Sequence, residues 1–262
     1  MSRIHGSKDF WLAALRADGQ ALAEAIADPV ALTREVPSCP GWTVGDLARH
    51  VGGVYRRTRI RIGTSPDEPW GPPDLPAEVV PAADDPAVVP WFTEELGQVG
   101  EFLEPLDPDT PAWNWAPQAR TAGFWFRRMA HETAVHRADG QIAVGTRPVI
   151  DPVIAADGIA EWLGFLPTVR AWEEPERPSP VPEGKVVHFH VTDEGVDGEW
   201  LIRGGRGGVA VETGHGKGDM ALRGPASDML LVLLRRLPPD DPAVQVLGDR
   251  SLLDGWLAGT PF

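Results

Sequence analysis

The 262-residue chain has one cysteine and one tyrosine, and no uninterrupted apolar run near the roughly 20 residues that cross a bilayer. Its single thiol, Cys39, excludes an internal disulfide and any multi-cysteine zinc site. Cys39 sits in the turn Ser38-Cys39-Pro40-Gly41-Trp42, where a packed structural thiol is expected rather than a nucleophile. Basic charge is scarce too: the formal net charge is −14 and the pI about 4.9. With no cationic surplus to displace counterions, a nucleic-acid partner is excluded. The first nine residues lack the apolar core and small-residue cleavage site of a signal peptide, so the expected location is the cytoplasm. What basic charge exists is almost all arginine, which with abundant alanine, glycine and proline suggests a GC-rich genome.

What the chain does have is helical periodicity. Phe10, Leu12, Leu15, Leu22 and Ile26 predict a helix from Ser7 to about Ala27, weakened at Asp18-Gly19 where a bend is expected. Thr43 and Asp46 form a capping-box pair that opens a second helix, with Val44, Leu47, Val51, Val54 and Tyr55 inward and His50 beside that face. Its basic end, Arg56 to Arg61, suits the negative pole of a helix dipole; a patch for an anionic substrate is the sharper alternative. Residues 63–86 read as a long acidic loop, and Pro86 to Leu106, with Val88, Trp91, Phe92, Leu96, Val99 and Leu103 as its apolar face, as a third helix. Trp113 and Trp115 fall in a following loop and are expected to cover the core.

The fourth helix, from about Thr121 to Val144, carries the most information. Trp125, Met129, Glu132 and His136 share one stripe of it, because steps of four, three and four return to the same face. A carboxylate on a buried stripe is costly unless a cation meets it. Four helices and one long loop are the content of a helical bundle.

After another helical segment (148–172) and a proline-rich linker (173–184), the period changes to that of strands. Val187, Phe189 and Val191 alternate with His188 and His190, and further short strands follow between glycine-rich turns. Ser227-Asp228 is expected to cap an apolar helix, and Arg250 to Leu257 forms a terminal one. The fold class is therefore α+β: a helical domain over residues 1–148, then a small α+β domain over 149–262.

Glu132 and His136, one turn apart, are spaced to bind one metal ion together. Catalytic zinc takes three protein ligands and keeps a fourth position open. His131 points about 100° away from Glu132 on a helix, which leaves His50 as the better third ligand. His188 and His190 form a rival pair, expected to be ordinary strand residues on a wet face; His5 and His215 lie in glycine-flanked segments. The competing reading has Glu132 simply paired with Arg128, four residues earlier.

Cys39-Pro40-Gly41-Trp42-Thr43-Val44-Gly45-Asp46-Leu47-Ala48-Arg49-His50 resembles a signature of the mycothiol-dependent maleylpyruvate isomerase family. His131-Glu132-Thr133-Ala134-Val135-His136-Arg137-Ala138-Asp139 resembles its second signature, about 80 residues on, as in the family. Gly224 to Leu231 and Val246 to Asp249 are similar to its second domain. The resemblance implies a DinB-like four-helix bundle with a divalent metal, usually zinc, on His50, Glu132 and His136, followed by a sterol-carrier-like domain. It also implies mycothiol as cofactor: a metal-bound thiolate would add to a cis-enedioate, allow rotation, and leave, or would instead transfer sulfur to an epoxide or halide. The small electrophilic, carboxylate-bearing substrate would bind between the domains and need an arginine, with Arg236 as the candidate and Arg223 as the other. The family usually has glycine where this chain has Arg235. A non-catalytic small-molecule-binding or thiol- or metal-responsive regulatory protein with a purely structural metal, closed by His131 or Cys39, is the alternative from another class.

Overall fold

The computed structural model describes residues 6–63, 80–173, 179–206 and 208–260. Of the expected acidic loop, residues 64–79 lie outside the described residues, as does His5. The chain divides into two compact units, Gly6–Ile150 and one containing Asp151–Phe262.

In the first unit, Ser7 caps helix α1 (Lys8–Ala25) by accepting from the Phe10 amide. The helix runs through Asp18-Gly19 without a break, where the sequence allows a bend. A Cβ on Gly19 would lie 2.5 Å from the Leu96 side chain, and Asp18 accepts from Arg137 Nε at 2.7 Å. That glycine serves close packing on α3 (Val88–Leu103), not flexibility. Helix α2 (Val44–Gly63) starts at the expected capping box: Thr43 Oγ1 accepts from the Asp46 amide at 3.2 Å, and Asp46 Oδ2 accepts from the Thr43 amide at 3.0 Å. Gly45, in its first turn, lies against another segment, because a Cβ there would stand 1.8 Å from the Ala83 carbonyl oxygen.

Helices α1 and α2 each pack on both α3 and α4 (Ala122–Ala143). Trp11, Leu15, Leu22, Tyr55, Phe92 and Phe126 are fully buried there. Tyr55 donates to Thr133 Oγ1 at 2.7 Å, and Thr133 donates to the Met129 carbonyl at 2.7 Å, so α2 is tied to α4 through a satisfied polar contact. Trp113 is buried, as expected, with its carbonyl accepting from Trp125 Nε1 at 2.7 Å.

The second unit begins with α5 (Pro152–Glu173), whose first amides, of Val153 and Ile154, bond to Asp151 Oδ1. Its sheet has the order β3 (Gly208–Thr213), β2 (Glu199–Gly205), β1 (Val186–Val191), β4 (Met220–Gly224), β5 (Gln245–Gly248). β1 and β4 run parallel; the other neighbours are antiparallel. Val187, Phe189 and Val191 are buried, and Phe189 meets the Trp256 ring of α7 (Ser251–Gly259) edge-on at 5.0 Å. The α+β class is therefore what the chain adopts.

Helix α6 (Ala226–Leu233) starts before the expected Ser227-Asp228 cap. Its first amide instead donates to Asp193 Oδ2 at 2.6 Å, from the β1–β2 connection 33 residues away. At its other end the Arg236 amide bonds to the Leu231 carbonyl at 2.7 Å and the Arg235 amide to the Val232 carbonyl at 3.0 Å, a Schellman motif. That motif needs a left-handed residue, and Arg235 has φ of 59°. Its guanidinium bonds to the Leu257 and Thr260 carbonyls at the end of α7, which offsets the backbone strain. No described helix is long and apolar enough to cross a membrane.

Candidate metal centre

Glu132 and His136 lie one turn apart on α4, and α2, packed against α4, presents His50 to them. His50 Nε2 stands 3.2 Å and His136 Nε2 3.3 Å from the same oxygen, Glu132 Oε1. The donor atoms of the three residues all lie within 4.8 Å of one another. Atoms about 2.0–2.1 Å from a tetrahedral zinc stand about 3.3–3.4 Å apart, so this convergence suits one small cation. Arg128 does pair with Glu132, but on the other oxygen, Oε2, at 3.0 Å. The salt bridge of the competing reading is therefore present, and Oε1 is shared by the two imidazoles.

Burial alone would raise the Glu132 carboxyl pKa. Hydrogen bonds from His136 and His50, with the charges of His136 and Arg128, outweigh it and hold the group well below the usual carboxylate range. For His136 burial pulls the pKa down, yet the hydrogen bonds and charges of Asp139 and Glu132 prevail and raise it to about 9. At neutral pH these shifts pair a protonated imidazole with an anionic carboxylate, and a divalent ion bound there would take the proton's place.

A second layer holds His136 in place. Its Nδ1 donates to Asp139 Oδ2 at 2.8 Å, which aims Nε2 at Glu132. Asp139 is fully buried and also accepts from Ser38 Oγ at 2.5 Å and from Cys39 Sγ at 3.7 Å. The resembling motif ends at Asp139, yet nothing in the sequence brings Ser38 and Cys39 to it across 100 residues. Cys39 joins His136 and Asp139 as a second possible donor group, and the two groups share only His136. His131 points elsewhere, into the core, where its ring meets Trp11 at 5.3 Å. Among the described residues, no donor group joins Cys39 or His131 to His50 and Glu132.

Comparison with known proteins gives the family and the fold. The mycothiol maleylpyruvate isomerase N-terminal domain model matches residues 12–140, and that family's C-terminal domain model matches residues 154–255. The chain belongs to this family. The crystal structure of the mycothiol-dependent maleylpyruvate isomerase has the same fold, with a TM-score of 0.58 at 13% identity, covering 100% of this chain and 99% of that one. A histidine-to-alanine mutant of that isomerase gives 0.56 at 12% identity with the same coverage. No curated protein matches the chain in sequence.

Of the basic end of α2, Arg56 and Arg59 both pair with Glu95, which is 1% exposed, so those two guanidiniums are already matched to an anion. Arg57 is half-buried, and its pKa is lowered by burial, partly opposed by the negative charge of Glu132. It lies two turns beyond His50 on α2, a periodicity visible in the sequence once His50 is taken as a ligand. In the second unit, Arg236 Nη1 donates to the carbonyl of Leu234, and Arg223 is exposed on β4. There too His188, His190, Glu199 and His215 gather, although His188 and His190 were expected on a wet face: His188 is buried.

Proposed function

We propose that the chain is a metal- and mycothiol-dependent isomerase of a small unsaturated dicarboxylate, with one divalent ion, zinc or a close substitute, on His50, Glu132 and His136. The observation that carries this reading is the convergence of two imidazoles from different helices on one carboxylate oxygen. A metal at these donors would deprotonate a thiol sharing its coordination, and reversible addition of that thiolate to an activated double bond is what cis–trans isomerisation needs.

The chain's own residues prepare this chemistry. Asp139 keeps the proton of His136 on Nδ1, so that Nε2 is left for the ion. Ser38 orients Asp139, and Arg128 neutralises the outer oxygen of Glu132 without competing for the inner one. The Trp42 ring, 4.8 Å from that of His50, packs against the ligand and steadies its orientation. Arg57 is assigned to a substrate carboxylate in preference to Arg236, whose guanidinium turns back on its own chain.

Isomerisation is favoured over sulfur transfer because the family and the structural neighbour carry that activity in their names. A purely structural metal would need a fourth protein ligand, and neither Cys39 nor His131 belongs to the donor group. The test is metal analysis of wild type beside His136→Ala, followed by calorimetric titration with mycothiol. The variant is expected to lose one equivalent of metal and all thiol binding. A variant that binds mycothiol as the wild type does would overturn the proposal.

A further inference from the structure

We infer that the second unit holds a metal site of its own, built by His188, His190, Glu199 and His215, which takes a borderline divalent ion of the zinc class. The ligand atoms of these four residues lie within 4.8 Å of one another. β1 presents His188 and His190 two residues apart on one face. Glu199 stands opposite His190 in the β1–β2 ladder, and His215 follows β3 in the turn Gly214-His215-Gly216-Lys217-Gly218.

The chain goes out of its way to bring His215 in. Gly214 adopts φ of 136°, which a side chain would strain. A Cβ on Gly216 would stand 2.6 Å from Leu201 Cδ1, and one on Gly218 would stand 2.6 Å from the Met220 carbonyl oxygen and 3.1 Å from His188 Cβ. These glycines let the turn lie flat on the sheet. His190 Nδ1 and His215 Nδ1 then stand 2.8 Å and 3.2 Å from one oxygen, Glu199 Oε1.

A cross-strand ion pair between His190 and Glu199 would explain two of the four residues. It does not explain His188, which is 5% exposed and whose Nε2 is buried with no hydrogen-bond partner. Buried polar atoms are rarely left so unless an ion or water meets them. The His188 ring centroid lies 5.5 Å from that of His190 and 5.7 Å from that of His215. Three imidazole nitrogens and a carboxylate oxygen are borderline ligands of the kind zinc takes. Four protein ligands leave no open position, so this ion would brace β1, β2 and the β3–β4 turn rather than activate a substrate. Glu199 and Gly214 also border a cavity of about 700 Å³ against Val153, Ala156 and Asp157 of α5, whose wall the ion would fix.

The test uses the untagged full chain, stripped by chelation and dialysed against Zn²⁺, with bound metal counted per chain. Wild type is expected to hold two equivalents, and a His50→Ala/His136→Ala variant one. In that double variant, adding His215→Ala, at a side chain 77% exposed, or Glu199→Gln should weaken the remaining ion by at least about a hundredfold. Zn²⁺ should also raise the melting temperature of the double variant and not of the triple one. A double variant that binds no zinc would refute the inference. So would a remaining ion that His215→Ala, Glu199→Gln and His190→Ala all leave at unchanged affinity.

Discussion

Replacing Asp139 by asparagine keeps the shape of the residue behind His136 and removes its charge, so it separates two effects of that carboxylate. In the metal-free protein His136 has its pKa raised to about 9. A metal must displace that proton, so at pH 7 proton competition weakens binding by about 100-fold, at tenfold per pH unit. Wild-type affinity should therefore climb about tenfold per unit from near neutrality and level off above about pH 9. In Asp139→Asn one of the two carboxylates that raise the imidazole is gone, so its pKa falls below about 9 and the climb should end at a lower pH than in wild type. The variant also loses the anion that orients the ring and raises its basicity, a loss of about 10- to 100-fold in affinity. Near pH 7 the two effects oppose each other; above pH 9 the full deficit of about 1.4–2.7 kcal/mol should appear. The sign for the metal-free fold follows the same shift. The raised His136 stabilises it below about pH 6.5, and that contribution disappears as pH rises through about 9. The assay is competition with a chromophoric chelator across roughly pH 6 to 10, in a His190→Ala/His215→Ala background so that only the helical site is read. Parallel pH profiles for wild type and variant would refute the reasoning.

Other substitutions test separate links. Arg57→Gln should raise KM for a dicarboxylate substrate by about 10- to 100-fold, an arginine–carboxylate contact being worth about 1.5–3 kcal/mol, while metal content stays unchanged. Gly45→Ala should destabilise by about 3 kcal/mol in urea unfolding, since its Cβ would meet backbone 1.8 Å away. Arg235→Ala loses the bonds to the end of α7 and keeps the left-handed strain, so it should cost about 1–2 kcal/mol. Arg235→Gly removes that strain as well and should cost less; the reverse order would contradict the account.

The parts of the site governed by local periodicity could be read in advance. Glu132 and His136 share a helical stripe, and the Thr43–Asp46 capping box sets the phase of α2 and so of His50. What escaped depends on contacts between distant segments. Asp193 caps α6 from the β1–β2 connection, and Ser38 meets Asp139 across 101 residues. Gly19 looked like a weak point because the Leu96 side chain it accommodates belongs to another helix. His188 and His190 looked like a wet strand face because alternation shows which residues share a face, not what covers it. Only the β3–β4 turn lying on that face brings in His215, and glycines hide such a contact by having no side chain to signal it. The unexpected Arg235 is explained the same way: the Schellman turn asks for glycine, and the α7 carbonyls supply the reason for arginine.

The account rests on three side chains holding one ion with a place kept for sulfur. Zinc-edge X-ray absorption on the protein loaded with zinc and mycothiol, in the His190→Ala/His215→Ala background, measures that most directly. It should find two imidazole nitrogens, one carboxylate oxygen and one sulfur at about 2.3 Å, with the sulfur vanishing when mycothiol is withheld and persisting in Cys39→Ser. A sulfur signal that depends on Cys39, or a shell of protein nitrogen and oxygen alone with mycothiol in excess, would contradict it.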